Sequence, residues 1–364
     1  MQTRKEEKLV KIVNNSLWDL PSPSSISYFW NFGSTLGICL GIQILTGLFL
    51  TFHYTSYASE RFSSIVEVIR EVWSGWALRF VHMNGASVFF FFIFLHLFRG
   101  LFFLRSVHKR VWNRGVTIII TLMAISFLGY VLPWGQMSYW AVAVITNLFS
   151  VIPLIGQTLV RWIWGGFSVR APTLTRFYSL HFLLPFILSF IVIIHLFTLH
   201  KEGSRNRIGI NRNLDKIEFH PYFSVKDLYF IIVVLLISVV ISFYSPYILG
   251  DPVNNVPANA MQTPVHIQPE WYFLSSYAIL RSLPRKTAGV IALALSVGVF
   301  YFIPLYNYNF STKFSTGRYF IYWLIGACFL FIIKVGALPA EDPYVTLGQM
   351  GTIAYFTSIF LLNI

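Results

Sequence analysis

The sequence predicts an all-α polytopic membrane protein with eight transmembrane helices, the first four forming a bundle around two prosthetic groups. Three observations carry this. First, the 364 residues are 56% hydrophobic and only 11% charged, where a soluble domain carries about a quarter charged residues. Second, eight apolar stretches approach the ~20 residues that a helix needs to cross a bilayer. Third, two of those stretches carry a pair of histidines at one and the same spacing.

The chain opens with Arg4, Lys5, Lys8 and Lys11 in a polar stretch that has no apolar signal core. It reads as a retained interfacial segment over residues 1–32. The first span, Gly33–Phe52, contains Gly33 and Gly47, fourteen residues apart. The second, Gly75–Leu104, contains His82 and His96, again fourteen apart, flanked by Arg79 and Arg99. Fourteen helical steps fall ~40° short of four full turns, so both imidazoles project from one face about 21 Å apart along the axis. The third span, Val116–Trp134, follows Gly115 and holds Gly129, the same interval once more; the fourth, Leu174–Leu199, holds His181 and His195.

A lone histidine in a membrane helix is usually a helix–helix hydrogen bond. Two pairs at equal spacing ask for a different account. Imidazole is the commonest metal ligand and a usual axial ligand of haem iron, and an ionisable residue inside the bilayer is a functional hypothesis by default. The reading is two six-coordinate haems, each held between two helices. If spans one and three run outwards and two and four inwards, Gly47 and Gly129 share the depth of His82 and His181. Gly33 and Gly115 then share that of His96 and His195. A helix wall without a Cβ lets a flat macrocycle pass; a single such glycine would mean close helix approach only. Arg79 and Arg99 each lie three residues towards the nearer membrane face, where a guanidinium can pair with a haem propionate or snorkel to headgroups.

Cys39 and Cys328 are isolated, so a Cys-x-x-Cys-His attachment is absent and any haem is non-covalent. The formal charge of +13 does not indicate nucleic acid. Seventeen of the 27 Lys and Arg residues fall in the segments assigned to the inner side, Arg105, Arg212, Lys313 and Arg318 among them, as the positive-inside rule requires when both termini lie inside.

After the third span, Pro133 ends the helix, and an apolar segment up to Pro153 is too short to cross and should lie along the outer surface. The remaining spans are Val225–Ser245, Ala288–Leu305, Tyr319–Val335 and Leu347–Leu362. Between the fifth and sixth, a long outer connection includes Pro269-Glu270-Trp271-Tyr272. A carboxyl among aromatic rings resists ionisation and suits a proton acceptor for a lipophilic substrate; the alternative is a helix-start carboxylate favoured by the helix dipole.

Four histidines, four glycines, Gly135-Gln136-Met137-Ser138, Trp162-Ile163-Trp164-Gly165-Gly166-Phe167 and Pro269-Glu270-Trp271-Tyr272 together resemble the cytochrome b family of ubiquinol–cytochrome c reductase, mitochondrial type, over nearly the whole chain. The resemblance implies a di-haem bundle at 33–205 and a C-terminal four-helix part at 206–364. It implies that His82 and His181 hold an outer, low-potential haem b, and His96 and His195 an inner, high-potential one. Glu270 and Tyr272, with Phe127, Tyr130, Met137, Ala141, Ile145 and Tyr277, would line an outer quinol-oxidation pocket. His200, Ser204, Asp227, Trp30, Asn31 and Ser34 would lie at an inner quinone-reduction site. The expected activity is bifurcated electron transfer. Ubiquinol gives one electron to an iron–sulfur (Rieske) subunit and one to the haem path, and ubiquinone is reduced inside. Expected partners are that subunit, a cytochrome c-type subunit, accessory subunits, membrane lipids and a second copy of the complex. The expected location is the mitochondrial inner membrane, with both termini on the matrix side.

Ala141 follows Trp140 where relatives usually have glycine, which places a methyl group in the outer pocket and should weaken inhibitors that pack there. Arg170-Ala171-Pro172, and Val265 with Gln268, also depart from the family pattern at the outer surface. Two other classes bear on the same residues. A secondary transporter would carry inverted repeats with broken helices near the midplane, and other membrane b-type cytochromes would lack the Pro-Glu-Trp-Tyr loop.

Overall fold

A computed structural model describes residues 7–57, 60–103, 108–207, 213–305 and 312–362. Arg4, Lys5, Arg105 and Arg212, counted above towards the inner charge, lie outside them. The helices run in the order α1 (Lys8–Val13), α2 (Phe32–Thr51), α3 (Arg61–Arg70), α4 (Gly75–Phe102), α5 (Lys109–Val131), α6 (Gln136–Asn147) and α7 (Gly156–Trp164). There follow α8 (Ala171–Glu202), α9 (Tyr222–Tyr244), α10 (Leu274–Ser282), α11 (Lys286–Gly298), α12 (Thr316–Gly336) and α13 (Tyr344–Leu362). Eight helical segments among the described residues are long and apolar enough to cross a membrane, and they are the eight the sequence predicts.

Their ends differ from the apolar stretches for local reasons. Helix α5 begins at Lys109, seven residues before the expected Val116, because its first turns carry Lys109, Arg110 and Arg114, whose long stems let the charge leave the apolar layer while the backbone stays helical. It stops at Val131, just short of Pro133. The sixth span changes character at Gly298 and continues as a 3₁₀ stretch, Val299–Leu305, that contains Pro304.

Contacts between loops sort the connections onto two ends of the bundle. At one end, β1 (Pro21–Pro23) pairs antiparallel with β2 (Lys216–Glu218), tying the N-terminal segment to the connection between α8 and α9. The Thr312 hydroxyl donates to the Leu101 carbonyl at 3.1 Å, so the connection before α12 belongs to that end also. At the other end, Gly135 bridges Pro257. The Gln136 side chain donates to the Gln262 carbonyl at 3.0 Å and accepts from the Asn259 amide at 2.9 Å. This is the partition that alternating spans require. Helices α6 and α7, which are too short to cross, lie at this second end.

Helix α2 packs mainly on α4, and α5 on α8. Between the two histidine layers the bundle is filled by Leu40, Phe89, Phe90, Ile93, Ile119, Leu122 and Leu188, all buried. Phe190 and Phe197 on α8 face outwards, as the apolar flank of a membrane helix does. A second core joins α10, α12 and α13 around Ile279, Ile325, Ile332 and Ile359.

Candidate functional site

Each histidine stands against a glycine on a neighbouring helix. A Cβ built on Gly47 of α2 would sit 2.9 Å from Cε1 of His82, and one on Gly33 would sit 3.5 Å from Cε1 of His96. A Cβ on Gly115 of α5 would lie 3.5 Å from Cε1 of His195, and one on Gly129 would overlap the His181 ring, 2.9 Å from Nε2. The two layers inferred from fourteen-residue spacing are therefore the observed register. Across the bundle, the His82 and His181 rings face each other with centroids 6.2 Å apart and planes at 89°.

The described residues contain no cluster of three or more His, Cys, Asp or Glu side chains able to hold a metal ion. A bis-imidazole haem needs only two protein ligands, and the donor set fits one. With metal–nitrogen distances near 2 Å, two rings flanking one ion have centroids roughly 6 Å apart, which is the outer spacing. The His181 Nδ1–H donates to the Ile125 carbonyl at 2.8 Å, leaving Nε2 free as a ligand. Thr46 Oγ1 lies 2.9 Å from His82 Nδ1. In the inner layer, Arg99 Nη2 lies 3.2 Å from His96 Nδ1, a contact that puts the His96 proton on Nε2, so that His96 can hold a metal through Nε2 only once Arg99 releases it. The guanidinium also lies 5.2 Å over the Trp30 ring. The Val111 main chain stands beside the His195 ring.

A cavity of about 520 Å³ opens from the outer layer towards the second end of the molecule. Its walls include Gly47, Arg79, His82, Gly129, Tyr130, His181, Glu270 and Tyr272. One space thus joins the outer histidine pair to the carboxyl of the Pro-Glu-Trp-Tyr loop. Volumes of this size accept a drug-sized, mostly apolar molecule. Glu270 precedes a 3₁₀ turn, Trp271–Phe273, but its side chain caps nothing, which disfavours the helix-start reading. Burial and the nearby Asp251 carboxylate push its carboxyl up to about 7, against a smaller downward pull from Arg79. Tyr272 lies parallel on Phe90, with centroids 4.0 Å apart and planes at 2°. Burial and the neighbouring Glu270 hold its phenol well above the usual range.

Not every predicted outer residue reaches this cavity. Phe127, Met137, Ala141, Ile145 and Tyr277 are absent from its walls. Met137 and Ala141 are buried in α6, Phe127 packs edge-on to Phe177, and the Tyr277 hydroxyl donates to the Ile267 carbonyl at 3.2 Å. Conversely, sequence reasoning passed over Gln43, Tyr54, Asn84 and Asn254 in the walls. Gln43 and Asn84 were detectable as amides inside apolar spans. Asn254 was not, because its role depends on a loop returning to α6, where its side chain accepts from the Ser138 amide and hydroxyl, each at 2.9 Å.

At the inner end, the Asn31 side chain donates to the Lys226 carbonyl at 2.9 Å, Ser34 donates to the Asn31 carbonyl at 2.8 Å, and Asp227 lies beside Ser34. Trp30 adjoins this group and packs on Phe103 at 4.8 Å. His200 occupies the last turn of α8 and Ser204 the residues just past it; among the described residues neither is hydrogen-bonded to that group.

Comparison with known proteins agrees with this geometry. A family model described as cytochrome b/b6/petB matches residues 17–203, and one described as cytochrome b (C-terminal)/b6/petD matches residues 257–356. A chain from a solved structure titled "Hyperthermophilic respiratory Complex III" superposes with a TM-score of 0.91 at 26% sequence identity, over 100% of this chain and 97% of that one.

Proposed function

The chain belongs to the cytochrome b/b6 family, and from that premise we propose that it is the membrane-spanning catalytic subunit of a ubiquinol–cytochrome c oxidoreductase. It oxidises ubiquinol at an outer site and reduces ubiquinone at an inner one. The single observation that carries this reading is the two-layer register, in which every ligand-type histidine meets a glycine at its own depth. Bound there, two haem b groups supply one-electron carriers at two depths of the membrane. His82 and His181 would hold the outer group and His96 and His195 the inner, within a functional unit spanning 33–205. Residues 1–32 and 206–364 flank it.

The chain's own residues then divide the work. Glu270, half ionised near neutrality, takes a proton from a quinol hydroxyl in the cavity and passes it outwards past Arg79 and Asp251. Tyr272 and Tyr130, both cavity walls, hold the aromatic head and exclude water. On the inner side, Trp30, Asn31, Ser34 and Asp227, with His200 and Ser204, bind quinone and deliver protons to it. Arg79 would anchor a haem propionate at the outer face and Arg99, once turned from His96, one at the inner face.

The same reading gives the chain a Rieske iron–sulfur subunit as electron acceptor, a cytochrome c-type subunit, accessory subunits and a second copy of the complex. The resemblance to a respiratory complex III supports these partners. Location in the mitochondrial inner membrane, with both termini in the matrix, rests instead on the inner excess of Lys and Arg and on lean loops. Protease protection of a terminal tag in isolated mitochondria tests it.

The decisive experiment is haem content per chain by pyridine haemochrome, with a redox titration of the purified complex. Two non-covalent b-type haems at separate potentials are expected. One haem would make one histidine pair structural, and none in folded protein would overturn the reading.

A further inference from the structure

The two histidine layers differ in what stands behind the imidazoles. In the outer layer both Nδ1 atoms meet an oxygen: Thr46 Oγ1 at 2.9 Å for His82 and the Ile125 carbonyl at 2.8 Å for His181. In the inner layer only the α8 histidine has one, the Val111 main chain beside His195; His96 Nδ1 meets the Arg99 guanidinium instead.

The direction of the Thr46 contact follows from its other bond. Its hydroxyl hydrogen goes to the Ile42 carbonyl at 2.7 Å, so the oxygen can only accept from His82. That assigns the proton of His82 to Nδ1 and leaves the Nε2 lone pair free. The glycines make both contacts possible. A side chain on Gly47 or Gly129 would occupy the place of the His82 or His181 ring and hold the imidazole away from Thr46 or Ile125.

We propose that Thr46 is a positioning residue that lowers the potential of the outer group by accepting the His82 Nδ1–H, so that electrons fall from the outer layer to the inner. An acceptor at Nδ1–H makes the imidazole a stronger donor to a metal, which favours the more positive, oxidised state. His96 has no such side-chain acceptor: the Arg99 guanidinium stands at its Nδ1. The inference rests on the two-haem reading above. Of the outer acceptors, Ile125 beside His181 and Gln43 beside His82 offer main-chain carbonyls that no side-chain substitution removes, whereas Thr46 can be altered alone.

The test compares Thr46→Val, which keeps the shape and removes the side-chain acceptor, with Thr46→Ser, which keeps it. Both are made in the assembled complex and read by haem count and optical redox titration. Thr46→Val should raise the reduced-to-oxidised ratio of the outer haem at fixed potential by up to about tenfold, the factor that corresponds to one hydrogen bond, or ~59 mV for a one-electron couple. The inner titration should stay in place, and Thr46→Ser should match the wild type. Loss of the outer haem from Thr46→Val alone would support the same role. Unchanged midpoints in Thr46→Val with both haems present would overturn the proposal. So would equal shifts, or equal haem loss, in both variants, since that would assign the effect to packing. A haem-free wild type would instead overturn the two-haem reading itself, and the haem count separates the cases.

Discussion

Replacing Glu270 by glutamine separates what this carboxyl costs the fold from what it does for the reaction. Its pKa is raised from 4.5 to about 7, first by burial and then by Asp251. At ~1.36 kcal/mol per unit, the shift sets a ceiling of roughly 3 kcal/mol on the cost of ionising it in the folded protein. Glu270 lines a cavity where water screens part of that cost, so the measured figure falls below the ceiling. The sign follows from proton binding. Between pH 4.5 and about 7 the folded chain holds this proton more tightly than the unfolded chain. Stability therefore falls as pH rises through that window and is level above it.

Glutamine cannot ionise, so Glu270→Gln should resist heat better than the wild type near pH 8, with the gap closing towards about pH 5. Activity should move the other way. Losing the proton acceptor should slow quinol oxidation by ~10²-fold or more. The wild-type rate should climb about tenfold between pH 6 and pH 8 as the carboxylate forms, and the variant should lose that limb. Thermal loss of the haem absorption band, followed as a rate because membrane complexes unfold irreversibly, reads the first effect; quinol-dependent reduction of the electron acceptor reads the second. A variant that keeps the wild-type pH–rate profile, or that is less heat-resistant near pH 8, would refute the reasoning.

Three further expectations follow from the same geometry. Gly47→Ala and Gly129→Ala, whose new Cβ atoms would overlap the His82 and His181 rings, should each lose the outer haem, whereas Gly33→Ala and Gly115→Ala, with Cβ contacts at 3.5 Å, should keep both; haem counts decide. Because Asp251 raises the Glu270 carboxyl and Arg79 lowers it, Asp251→Asn should move the midpoint of the pH–rate profile to lower pH and Arg79→Gln to higher, provided the latter retains its haems. Ala141 is buried in α6 and does not reach the cavity, so Ala141→Gly should leave the inhibitory concentration of outer-site inhibitors unchanged; a clear fall at unchanged turnover would show that the methyl group does border the pocket, as its position in the sequence suggested.

The parts of the site that were legible in the sequence are those that a single helix encodes. Fourteen residues place His82 and His96 on one face whatever surrounds them, and the alternating direction of successive spans then fixes the depth of Gly47 and Gly129 without any knowledge of packing. The grouping of the connections onto two ends was legible for a similar reason, since the alternation of successive spans needs no knowledge of packing. Helix limits were less so: Lys109 and Arg110 read as loop by polarity, yet their backbone continues α5.

What the sequence could not disclose is set by the rotation of one helix against another. Thr46 differs from any other hydroxyl in a membrane helix only because α2 packs on α4 with that oxygen turned to His82. The contrast between layers has the same origin. His82 and His96 are equivalent in sequence, fourteen residues apart on one face, each with an arginine three positions towards its own membrane surface. Packing breaks that symmetry, because α2 offers an acceptor to one ring while a turn of α4 itself offers Arg99 to the other. Sequence spacing therefore accounts for there being two equivalent sites across the membrane. Their difference arises where helix packing decides which oxygen or cation meets each imidazole.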